Sequence, residues 1–211
     1  MKRKTQRRIA IIITVLVSIS MIGFTGIGIF QSSLLPPSSN QPAATTPSVL
    51  DQYNLQKNTV QTLEAKAKAN PQDMTTRQDL ANAYFDLAVL AQEAAPEESV
   101  SDFAKAVDAY QTVLDAMKTA KDINILVDMA TAAFYAGQDD LAEKSFKEAL
   151  AQQPKSFNAL YNYGMFLAQA KKDNVGAIKV WQEALAADPA NPRAADLQAL
   201  IQQAQATTPS P

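Results

Sequence analysis

AEKSFKEALAQQP, residues 142–154, and AIKVWQEALAADP, residues 177–189, are one pattern written twice. Ala142, Phe146, Ala149 and Pro154 recur as Ala177, Trp181, Ala184 and Pro189, with offsets of four, three and five in both copies and a shift of 35 residues between them. A small residue, a ring four positions later and a small residue three after that share one helix face. A neighbouring helix can approach closely at the alanines while the ring fills the space between them. The proline cannot continue a helix, so each copy ends there.

Each copy is preceded by a second helical stretch. Ala159-Leu160-Tyr161-Asn162-Tyr163-Gly164 leads into one copy and Ile125-Leu126-Val127-Asp128-Met129-Ala130 into the other, so each unit reads as helix, short turn, helix. In the turn Ala136-Gly137-Gln138-Asp139-Asp140, Gly137 can adopt the left-handed conformation that closes a helix, and Asp139 or Asp140 is expected to cap the next one.

These residues resemble the tetratricopeptide repeat family, whose unit of about 34 residues carries this Gly, aromatic, Ala and Pro pattern. The match covers residues 123–189. Upstream, Leu80-Ala81-x-x-Tyr84 reads as a first helix and Ala106, Tyr110 and Val113 as its partner, but Ala88 to Asp102 is longer than the family pattern. That insertion is expected to lengthen the pair, with a loop at Pro96 and a second helix starting at Ser99 or Ser101. Leu50 to Asn70 forms a further amphipathic helix with Val60, Leu63 and Ala67 inward. Pro192 to Ala206 forms a capping helix with Leu197, Leu200 and Ile201 inward. The implied fold is all-α, a right-handed α-solenoid of about three helix pairs with terminal capping helices, preceded by one transmembrane helix.

Residues 9–30, IAIIITVLVSISMIGFTGIGIF, contain no charge over 22 positions. At about 1.5 Å per residue they are long enough for a hydrocarbon layer of roughly 30 Å. The run exceeds the apolar core of a cleaved secretory signal, and Gly26-Ile27-Gly28 is a weak cleavage site. Either reading carries the rest of the chain across a membrane. Lys2, Arg3, Lys4, Arg7 and Arg8 precede the run, which keeps residues 1–8 cytoplasmic and puts the remainder on the extracytoplasmic side. Thr14 and Ser18 form one small-xxx-small pair, a basis for weak self-association of the anchor. Residues 31–49, with Pro36, Pro37, Pro42 and Pro47, read as a tether, residues 50–206 as the repeat domain and residues 207–211 as a frayed tail.

The 211 residues include no Cys and no His, which removes thiolate chemistry, the commonest general base and the commonest metal ligand. No catalytic constellation, metal site or cofactor is expected, and the chain is read as a non-enzyme. Beyond residue 50 there are 14 basic and 21 acidic residues, a net −7, which disfavours nucleic acid as a partner. Asp139-Asp140 and the lone Trp181 read as structural, as do the ion pairs expected for Glu143 with Lys147 and Lys144 with Glu148.

The resemblance implies binding on the concave side, lined by the first helix of each unit. The candidate groove residues are Asn82, Phe85 and Asp86, then Thr131, Phe134 and Tyr135, then Asn158, Tyr161, Asn162 and Met165. Asn amides can bond a peptide backbone while the rings hold apolar side chains. Taken singly, each ring also reads as ordinary packing between helices. The family's carboxylate-clamp positions correspond to Thr75, Gln78, Asp79, Asn124, Val127 and Asp128, which lack the required cations. The expected role is a membrane-tethered protein or peptide-binding scaffold for an envelope complex. The alternative is a structural subunit that uses its convex face or the insertion at 88–102.

Overall fold

The computed structural model describes residues 47–117 and 121–207. The anchor, most of the tether and the last four residues lie outside them. Among the described residues there are eight α-helices and no strand, and no helix is long and apolar enough to cross a membrane. In chain order they are α1 (Val49–Ala69), α2 (Met74–Ala94), α3 (Pro96–Ala116), α4 (Ile123–Tyr135), α5 (Asp139–Gln152), α6 (Phe157–Phe166), α7 (Asn174–Ala187) and α8 (Ala194–Thr207). They pair as α2 with α3, α4 with α5 and α6 with α7, with α1 against α2 and α8 against α7.

Helix starts follow local chemistry. Ser48 and Asp51 form a reciprocal capping box, and Asp73, Asp122, Ser156 and Asp173 each accept a backbone N–H of the helix that follows. The expected cap at Asp139 or Asp140 is corrected. The cap position is Gln138, which makes no side-chain cap bond, and both aspartates lie in the first turn of α5. There their charge suits the positive end of the helix dipole. Gly137 has φ of 75°, as its place in the turn requires.

The insertion takes a different form from the one expected. Ala95 alone links α2 to α3, and Pro96 occupies the first turn of α3, where its missing N–H costs nothing. Ser99 does not start the helix. It is buried, and its hydroxyl donates to the Ala88 carbonyl at 3.1 Å, tying α3 to α2. Ser101 lies further inside α3. The extra residues therefore extend both helices, each of 21 residues, about two turns beyond the 13 and 14 of α4 and α5.

One main core runs through α2 to α8, and a smaller one joins α1 to the other face of α2 through Tyr53, Val60, Ala83, Leu87, Ala91 and Ala95. Tyr53 donates to Glu98 at 2.8 Å and Tyr84 bonds Glu64, fastening α1 to α3 and α2. In the last unit Trp181 lies on Gly164 and donates its indole N–H to the Tyr161 carbonyl at 3.1 Å. A Cβ at Gly164 would overlap the indole. The matching residues in the other units are Ala81 and Ala130, opposite the smaller rings Tyr110 and Phe146.

A single residue interrupts the repeat. The first helices recur after 34 positions, Ala130 to Gly164, but the second helices after 35, Ala142 to Ala177. The structure takes up the extra residue as one π turn, Leu167–Lys171, at the end of α6, closed by Lys172 at φ of 60°.

Candidate functional site: a groove across the first helices

The first helices α2, α4 and α6 contribute to one cavity of about 150 Å³. Its walls are Phe85 and Val89 of α2, Thr131, Phe134 and Tyr135 of α4, and Tyr161, Asn162 and Met165 of α6. Phe146 of α5 and Arg193, just before α8, complete it. Seven of the ten residues that the family resemblance implied therefore meet in one place. Rings hold the walls in register: Phe85 stands edge-on to Phe103 at 5.5 Å, Phe103 stacks on Tyr135 at 4.9 Å, and Phe134 stands edge-on to Phe166 at 5.8 Å.

Most of this ring surface is turned inward. Tyr161 is 2% exposed and Phe134 5%, so they offer edges rather than faces. The Arg193 guanidinium lies 3.6 Å from the Tyr161 ring centre, a close cation–π stack. Tyr135 is pushed up to about 12, chiefly by burial and then by Tyr161, with Arg193 opposing.

The polar candidates are partly engaged. Thr131 donates to the Val127 carbonyl at 2.8 Å, and the Asn162 amide donates to the backbone and side-chain oxygens of Asn158 at 2.9 and 2.8 Å. Asn82, Asp86 and Asn158 do not line the cavity. Asn82 accepts the Tyr110 hydroxyl at 2.9 Å, and Asn158 is exposed. Burial raises Asp86 above the usual carboxylate range. Asp128, one turn before Thr131, is pushed up to about 6 by burial first, then by the charges of Asp122 and Asp86.

Val89, Phe146 and Arg193 were not among the candidates. Arg193 stands 35 positions after Asn158, one repeat further on, so extending the spacing into the capping helix would have found it. Met165 also borders a second cavity of about 340 Å³, lined by Ala168, Gln169 and Lys172 from the π turn and its end, by Asn174 and Trp181 of α7, and by Leu200, Gln203, Ala204 and Thr207 of α8. The two cavities thus adjoin along α6, and the single inserted residue shapes the second.

No family model matches the chain, and no protein of curated function matches it. Solved structures do. Two crystal structures of MamA superpose with TM-scores of 0.52 and 0.51 at 15% identity, covering 76% and 75% of this chain and 91% and 83% of theirs. A tetratricopeptide repeat protein from Parabacteroides merdae superposes at 0.49 with 16% identity, over 75% of this chain and 59% of its own. The likeness to MamA is one of fold, and that fold is the stacked, TPR-like arrangement of helix pairs that the repeat spacing implied.

Proposed function

We propose that the chain is a membrane-tethered interaction module that binds a protein or peptide segment in the groove across α2, α4 and α6, scaffolds an envelope complex and catalyses nothing. The observation that carries this reading is the cavity to which three successive units each contribute an apolar or aromatic wall. Helical repeats expose such composite surfaces because each unit buries itself only against its neighbours. The tether and the orientation rest on the uncharged run at residues 9–30 and on the five cations before it. The absence of Cys and His from the whole chain supports binding over catalysis.

A second reading draws on the α2–α3 hairpin, whose helices are about two turns longer than α4 and α5 and whose turn is flanked by the exposed Glu93 and Glu97. There the chain would be a structural subunit held through its tip. Affinity capture with the full chain from solubilised membranes separates the two. Asn162→Tyr fills the groove from a half-buried position without entering the core, whereas Glu93→Lys with Glu97→Lys alters only the tip. Loss of the captured partner with Asn162→Tyr and retention with the tip variant is the expected result. The reverse pattern would establish the hairpin as the contact.

A further inference from the structure

Of the residues that line the groove cavity, Arg193 alone carries a charge. The turn that opens α8 fixes its backbone. The Arg193 N–H donates to the Asn191 side chain at 3.1 Å, the Asn191 amide donates to Asp188 at 2.9 Å, and the Arg193 carbonyl accepts the Leu197 N–H at 3.0 Å. The guanidinium is fixed in turn by its stack on the buried Tyr161, whose carbonyl is held by Trp181. Stacking occupies the face of a guanidinium, whereas its five N–H donors lie in the plane and point out from the edge. Among the described residues, those donors enter no hydrogen bond or ion pair. A half-buried guanidinium already oriented in this way loses little freedom when a carboxylate joins it. The neighbouring polar groups are acceptors. The Asn162 amide nitrogen is engaged twice by Asn158, which leaves its oxygen for a donor, and the Thr131 hydroxyl, which donates to Val127, can only accept.

Resting on the groove reading above, we propose that the occupant is an extended segment of a partner protein in which a single Asp or Glu stands next to an apolar side chain. The carboxylate meets the edge of the Arg193 guanidinium, the apolar group enters the cavity between Phe85, Tyr135 and Met165, and backbone N–H groups meet the oxygens of Asn162 and Thr131. The tetratricopeptide clamp positions bear no cation here, and Arg193 is not one of them. The second cavity adjoins the first at Met165, so the segment has room to continue and its carboxylate is that of an internal side chain, not of a chain end. The excess of acidic over basic residues beyond residue 50 repels a run of acids, so one carboxylate is read and not several.

The test uses the full chain in detergent and two labelled, end-blocked peptides that are identical except for the residue beside a central leucine, glutamate in one and glutamine in the other. Fluorescence anisotropy is expected to show the glutamate probe binding about tenfold more tightly than its neutral isostere. Arg193→Gln should bring that ratio to about one while the thermal melt stays cooperative, and Asn162→Tyr should weaken both probes. Should Arg193→Gln lose its cooperative melt, Arg193→Lys, which keeps the charge without the planar fork, takes its place and is expected to lower the ratio. Equal binding of the two probes, still lost with Asn162→Tyr, overturns the carboxylate site and leaves the groove standing. Binding that ignores Asn162→Tyr, or no binding of either probe, overturns both. A preference that survives substitution of Arg193 overturns the assignment to that residue. A glutamine probe with a free C-terminus that binds as tightly as the blocked glutamate probe overturns the internal side chain as the source of the carboxylate.

Discussion

The two ends of this array are held together differently. In the last unit, one large ring meets one missing side chain: Trp181 lies on Gly164, and its N–H is satisfied by the Tyr161 carbonyl. In the elongated α2–α3 hairpin, close approach comes from a run of buried alanines, Ala81, Ala88, Ala91 and Ala95. That hairpin also buries Gln92, Ser99 and Asp102, three of the four buried polar side chains among the described residues. Gln92 Oε1 and Asp102 Oδ2 have no hydrogen-bond partner. The Trp181 end gains stability from packing, whereas the elongated end gives some of it back in unsatisfied polar atoms.

Breaking the packed end should have the largest effect. Trp181→Ala removes a ring that is 2% exposed and empties the space over Gly164, so unfolding by denaturant should show a loss of about 3–5 kcal/mol. Between the two ends, Asp128→Asn sharpens the contrast between groove and core. The Asp128 pKa is raised on folding, so its contribution is fully present below the ordinary carboxylate range and is lost as pH rises through about 6. At about pH 8 the variant should be more stable than the parent by about 1–2 kcal/mol after allowance for partial exposure, and at about pH 3 the two should melt together. A smaller gain is expected at the elongated end. Gln92→Met keeps the volume and deletes an unsatisfied oxygen, so its denaturation midpoint should rise by an amount equivalent to about 1 kcal/mol.

The same contrast explains what could be read in advance. The repeats were legible because small and large residues at offsets of four and three are a local signature of a tertiary contact, as Ala142, Phe146 and Ala149 show. Pro154 and Pro189 likewise stand two residues beyond the ends of α5 and α7. The inward faces of α1 and α8 were legible in the same way, though Tyr53, fixed by Glu98 from α3, was not. The start of α3 was misread because Ser99 looks like a cap in sequence, while its hydroxyl serves the Ala88 carbonyl of another helix. Glu148 was paired with Lys144 on helical spacing, yet it pairs with Lys121 at 3.0 Å, just ahead of the neighbouring helix. In both cases a partner distant in sequence won over a local one.

For the groove, the family resemblance placed seven residues in one cavity because repeat geometry carries each first helix to the same side. It could not show that Asn82 would serve the Tyr110 hydroxyl or that the Asn162 amide would turn to Asn158. The first depends on how α2 and α3 pair within one unit, and the second on a side-chain choice within α6.

The most direct test of the central claim is site-specific photocrosslinking in the full chain. A photoreactive residue is placed at Val89 on the groove wall, at the exposed Lys144 on a second helix, or at Glu97 on the hairpin tip. A discrete partner adduct from Val89, absent from Lys144 and Glu97, is the expected result. An adduct from Lys144 or Glu97 with none from Val89 would contradict the groove and move the contact to the opposite face or to the tip.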